Sequence, residues 1–106
     1  MMKKILEELL KFREERDWAK FHTPENLAKS IAIEAAELLE NYQWVNQTPD
    51  LQNVKEELAD IMSYCMLLCH DYDLDLETIM MDKIQKNKKK YPKDKAYGKS
   101  DKYTKL

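Results

Sequence analysis

A single glycine, Gly98, serves the whole chain of 106 residues. A β protein draws on glycine at tight turns and bulges, so this scarcity argues against sheets. It also excludes the Gly-rich loops that cradle phosphate, which need several glycines in a short stretch. The residues in excess are Leu, Lys, Glu, Ala and Met, all good helix formers. An all-α chain is expected. Its length is that of one ordinary domain with a small core, which oligomerisation would help to stabilise.

Start and stop signals divide the chain into four helices, at about residues 3–17, 24–42, 49–72 and 76–90. Ile5, Leu6, Leu9, Leu10 and Phe12 follow a helical period in the first. Thr23, Pro24 and Glu25 supply a cap, a proline suited to the first helical position and an acid for the first turn. Thr48, Pro49 and Asp50 repeat that signal before the third helix. Asp75 can cap the fourth, and Tyr91-Pro92 ends it. Short connections favour antiparallel neighbours in a bundle. Residues 1–92 are read as the folded domain and 93–106 as a lysine-rich tail, extended or mobile.

Charge is divided unevenly between the two ends. Residues 83–106 hold ten Lys against two Asp, and residues 1–82 hold eight Lys or Arg against eighteen Asp or Glu. An acidic body suits cation binding, and a basic end suits an anion, although solvated faces have the same composition. Four acids stand apart from the rest. At about 100° per residue, Glu34 falls within roughly 60° of Leu27, Ile31 and Leu38, and Glu37 lies one turn on. Glu57 shares a face with Val54, Ile61 and Leu68, and Asp60 stacks toward Tyr64. Two helices thus bring acidic pairs, spaced i and i+3, to faces that should point inward. Buried together, four carboxylates repel one another and raise one another's pKa. A divalent cation neutralises them, and an oxygen-rich site of this kind suits Mg²⁺ or Mn²⁺.

Cations on apolar stripes form a second anomaly. Lys83 and Asn87 project on the face of Leu76, and Arg16 on the face of Ile5, Leu9 and Phe12. With the acids they suit an anion held on a metal, and phosphate fits that description. Trp18, Phe21 and His22 precede the second helix and Trp44 follows it, which would cap the core or form a slot for a planar base. Cys65 and Cys69 lie one turn apart on an apolar helix and are expected as buried thiols, with no His at zinc spacing.

The Glu34-Ala-Ala-Glu37 and Glu57-Leu-Ala-Asp60 pairs resemble the metal motif of the all-α nucleoside triphosphate pyrophosphohydrolases, the MazG-like superfamily. The likeness extends toward its dCTP pyrophosphatase branch. It is carried by Phe12, Glu15-Arg16-Asp17-Trp18, Phe21-His22, Pro24, Asn26-Leu27, Gln43-Trp44, Tyr64, Lys83, Asn87, Tyr91-Pro92 and Lys102-Tyr103-Thr104. The resemblance implies hydrolysis between the α and β phosphorus atoms, with release of a nucleoside monophosphate and pyrophosphate. It implies a Mg²⁺ requirement, for which Mn²⁺ would substitute, with Glu34, Glu37, Glu57 and Asp60 at the ligand positions. Trp18, Trp44 and Tyr64 match positions near base and sugar, Lys83 and Asn87 positions at the phosphates, and His22 and Asn26 positions at the mouth. One departure is Leu9, where that branch carries His. The resemblance further implies a homodimer or homotetramer with sites completed across chains, and a housecleaning role on dCTP or modified pyrimidine deoxynucleotides.

On this reading Glu34 or Glu37 accepts the proton of the attacking water, while Lys83 and Arg16 stabilise the pyrophosphate. Two other classes stay open: a non-catalytic nucleotide-binding regulatory module, and a helical interaction protein that uses its basic tail on nucleic acid. The acidic body argues against nucleic acid. No apolar run reaches the length of a membrane span, and the early acids Glu7 and Glu8 do not suit a signal peptide. A reducing cytoplasm is therefore the expected location.

Overall fold

The structure, a computed structural model, describes residues 2–106. All regular elements among these are helical. They comprise α1 (Met2–Glu15), α2 (Pro24–Leu39), α3 (Leu51–Asp71), α4 (Leu76–Lys90) and the single turn α5 (Lys93–Ala96), with 3-10 turns at Ala19–Phe21, Glu40–Tyr42 and Tyr103–Lys105. Contacts gather them into two compact units. One holds α1 to α3 and ends at Asp73, and the other is Leu74–Leu106.

The caps explain where the helices start. Thr23 Oγ1 accepts the Asn26 amide at 3.2 Å, with Pro24 at the first position of α2. Asp75 accepts both the amide and the hydroxyl of Thr78 at the start of α4. α3 begins two residues later than the Thr48-Pro49 signal implies, because Asp50 is the cap. Its carboxylate accepts the amides of Gln52 and Asn53. Buried Asn41 holds Asp50 out of the helix by accepting its N–H at 3.1 Å, and Asn41 also donates to Asn53 at 2.8 Å.

Helix ends are built with little glycine. α1 closes with Asp17 N–H donating to the Glu14 carbonyl and Trp18 N–H to the Arg13 carbonyl, both at 3.0 Å. This is a Schellman closure with Asp17 in the left-handed conformation at φ 53°. It stops α1 at Glu15, short of the expected residue 17. Asn46 and Asp73 also stand at positive φ, so the chain uses short polar side chains where glycine is usual.

In the first unit, α2 and α3 pack most extensively against each other and α1 rests on α3. Asn41 meets Asn53, and a carboxylate oxygen of Glu34 lies within 4.8 Å of one of Glu57, so rising numbers on the α2 side face falling numbers on α3 and the pair is antiparallel. The buried apolar side chains are Leu27, Met66 and Leu67. Arg13 is buried, on the face that helical spacing gives to Leu6, Leu9 and Leu10, and pairs with Asp71 at the end of α3. Beside this face α1 leaves Met2, Ile5 and Phe12 exposed, as α3 does Leu51, Leu58 and Met62.

In the second unit the tail is not extended throughout. Pro92 starts the turn of α5, and the Tyr103 ring packs edge-on against Tyr91 at 6.1 Å with the Lys90 ammonium 5.1 Å from its centroid. Among the described residues no helix is long and apolar enough to cross a membrane. Asp17→Gly should raise unfolding stability by about 0.5–1 kcal/mol in urea titration, since glycine takes the left-handed position without side-chain strain.

Candidate metal centre

The α2–α3 pairing turns carboxylates toward each other. Glu57 is buried, Glu34 is half-buried and Glu37 is partly exposed. One oxygen from each of the three lies within 4.8 Å of the others. Oε2 of Glu34 and Oε2 of Glu57 are buried and have no hydrogen-bond partner. Such orphaned anionic oxygens need a counter-charge or a proton.

Protons perform part of that task. A hydrogen bond with Glu57, then burial, then Glu37 push the Glu34 carboxyl up to about 8 from its ordinary 4.5. Three convergent oxygen donors, two of them with buried unpartnered atoms, fit a hard divalent cation. Asp60, the fourth acid of the motif, is exposed and lies one turn along α3 from Glu57, outside the convergent three. Its charge still reaches Tyr64. Burial, followed by the charges of Glu34 and Asp60, raises the Tyr64 phenol above its usual range.

Aromatic side chains run from α1 to this centre. Phe12 meets Trp18 at 5.6 Å between ring centroids, Trp18 meets His22 at 6.4 Å, and His22 meets Tyr64 at 6.2 Å, all edge-on. The 3-10 turn Ala19–Phe21 supports this row. Asn26 Nδ2 donates to the Phe21 carbonyl at 3.0 Å and so fastens the turn to the start of α2. Burial and the charge of Arg13 lower the His22 pKa, with Asp71 opposing.

The other expected site residues stand elsewhere. Trp44 is 69% exposed beyond the end of α2, its amide donating to the Gln47 side chain. Arg16 does not project inward. It is exposed in the turn just after α1, with its guanidinium 3.8 Å from the Phe12 centroid and donating to the Phe12 carbonyl. Lys83 and Asn87 lie on α4 in the second unit, exposed rather than buried in an apolar seam. A shallow depression of about 580 Å³ is lined by α1 residues, among them Ile5, Leu9 and Phe12, and by Arg16 just beyond that helix, and includes none of Glu34, Glu37, Glu57 and Asp60. Cys65 and Cys69 are half-buried thiols, and burial raises that of Cys65. Arg13 escaped the sequence reading. Its spacing from Leu6, Leu9 and Leu10 was the available signal, since a long cation on that face passes readily for one that snorkels.

Comparison with known proteins shows a family and a fold. The model of the MazG-like family matches residues 29–106. The dCTP pyrophosphatase 1 of Homo sapiens is 35% identical over 104 residues, covering 90% of this chain and 61% of that protein. The Mus musculus protein of the same name is 33% identical over the same span. The chain thus spans about three fifths of the length of these curated relatives. A crystal structure of a pyrophosphatase from Archaeoglobus fulgidus DSM 4304 superposes with a TM-score of 0.81 at 39% identity, covering 86% of this chain and 92% of that one.

The raised Glu34 carboxyl has a consequence of measurable sign. A carboxyl raised in the folded state stabilises below its unfolded pKa, and that stability is lost as pH rises through the folded value. Without divalent cations, the melting temperature should fall between about pH 5 and pH 8, and Glu34→Gln should flatten that slope.

Proposed function

The chain belongs to the MazG-like family, and from that premise we propose that it hydrolyses nucleoside triphosphates between the α and β phosphorus atoms. The products are a nucleoside monophosphate and pyrophosphate. The observation that carries this reading is the convergence of Glu34, Glu37 and Glu57 within 4.8 Å, with two buried oxygens lacking partners. A pyrimidine deoxynucleotide, dCTP or a modified form, is the proposed substrate, supported by the dCTP pyrophosphatases among the relatives. Its proposed task is removal of unwanted nucleotides in the cytoplasm.

Glu34, Glu37 and Glu57 would hold Mg²⁺, with Asp60 within one turn to join them. Once bound, the cation would neutralise charge on the phosphates and acidify a water. The chain's own groups carry the remaining roles. Glu34 or Glu37 accepts the proton of the attacking water. Lys83 and Arg16 stabilise negative charge on the departing pyrophosphate, and Asn87 donates to phosphate oxygen. Arg16 keeps further N–H donors available beyond the one given to Phe12. Trp18, Trp44 and Tyr64 wall the base and sugar, and His22 and Asn26 stand at the mouth.

A second copy of the chain completes this arrangement. Exposed Met2, Ile5 and Phe12 on α1, and Leu51, Leu58 and Met62 on α3, each form an apolar face at helical spacing. A homodimer or homotetramer buries such faces and brings cations of a neighbouring chain to the acids. Sedimentation should therefore return a multiple of 12.7 kDa.

The decisive assay is a panel of standard and modified nucleoside triphosphates with Mg²⁺, scored for pyrophosphate. Glu37→Ala and Asp60→Ala should each abolish release while leaving the helical circular dichroism spectrum intact. Full activity in either variant would overturn the assignment of the acids.

A further inference from the structure

The aromatic row is tied at its α1 end to a single ion pair. Arg13 donates from two guanidinium nitrogens to both carboxylate oxygens of Asp71, at 3.2 and 3.1 Å. The side chains are only 10% and 23% exposed. This fork joins the last turn of α1 to the last residue of α3. The backbone of the same arginine receives Trp18, whose N–H donates to the Arg13 carbonyl at 3.0 Å. Between them Asp17 stands in the left-handed conformation, its N–H donating to the Glu14 carbonyl at 3.0 Å. Trp18 therefore departs from a point that Arg13 fixes against α3.

From there the rings of Trp18, His22 and Tyr64 follow in series, and Tyr64 returns to α3. His22 feels both members of the pair, and its Nδ1 is buried without a partner. Asp71 lies fourteen positions beyond Glu57, roughly 20 Å along the helix at 1.5 Å per residue. The pair is thus remote from the acids while governing the wall on which a base would stack.

We propose that the Arg13–Asp71 pair is a positioning device for the base side of the site: it sets the spacing between Trp18 and α3 and so selects which nucleobase is held, without touching substrate. This rests on the nucleotide reading above. The planar fork is what matters, so lysine, a point charge on a flexible stem, cannot replace arginine here.

The test compares the assembled wild-type protein with Arg13→Lys, Asp71→Asn and the exchanged pair R13D/D71R. Steady-state rates are measured with dCTP and dTTP under Mg²⁺, and the contact between Trp18 and His22 ring protons is followed by NMR. Arg13→Lys should weaken that contact, raise the KM for dCTP about tenfold and change the dCTP-to-dTTP ratio, with kcat within about twofold. The exchanged pair should recover part of the loss. An unchanged KM and base ratio with only a lower melting temperature would reduce the pair to a structural staple and overturn the proposal, as would a fall in kcat alone. If Asp71→Asn does not fold, Arg13→Lys decides. A wild-type protein that releases no pyrophosphate from any triphosphate overturns the nucleotide reading itself, an outcome distinct from an active enzyme indifferent to Arg13→Lys.

Discussion

The facing carboxylates of Glu34 and Glu57 are the constraint around which the first unit is arranged. Two acids brought together away from water repel unless a proton or a cation lies between them. The fold accepts this conflict rather than avoiding it. Asn41 pins the turn between α2 and α3 through Asp50 and Asn53, and that pinning sets the register in which the two acids meet. Leu27, Met66 and Leu67 supply the apolar contact that holds the helices together nearby. The left-handed turn at Asp17, just beyond the end of α1 at Glu15, then directs the aromatic row toward the same place.

The carboxylates were readable in the sequence because helical geometry is local. A residue's angular position depends only on its neighbours within a few turns, so Glu34 on the face of Leu27 and Leu38 predicted an inward acid, and Glu34 is half-buried and Glu57 buried. Capping is equally local, and Thr23 and Asp75 serve as their types suggest. α4 spans the expected residues for the same reason.

What failed depended on partners distant in sequence. Thr48 has the right chemistry for a cap, but the Asn41 side chain claims Asp50 and moves the start of α3. α1 has apolar residues on two faces. Periodicity alone does not say which of them packs on α3, so Arg16 was read as inward where Arg13 is the buried cation. The same ambiguity affects α4, where Lys83 and Asn87 lie among apolar residues that a single chain leaves exposed. The tail was read from composition, which does not register the ring contact of Tyr103 with Tyr91.

The antiparallel pairing of α2 with α3 also bears on how the chain reaches its folded state. Its linking contacts, such as Asn41 with Asn53, close short loops, and short loops lose little entropy on closing. Topologies dominated by near-neighbour contacts fold quickly. The hairpin of α2 and α3 is thus suited to form early, which brings the acids together before the weaker packing of α1 is complete. The site would then begin as part of the folding nucleus, and the ionic composition of the medium would influence the rate at which the chain folds as well as the stability it finally attains.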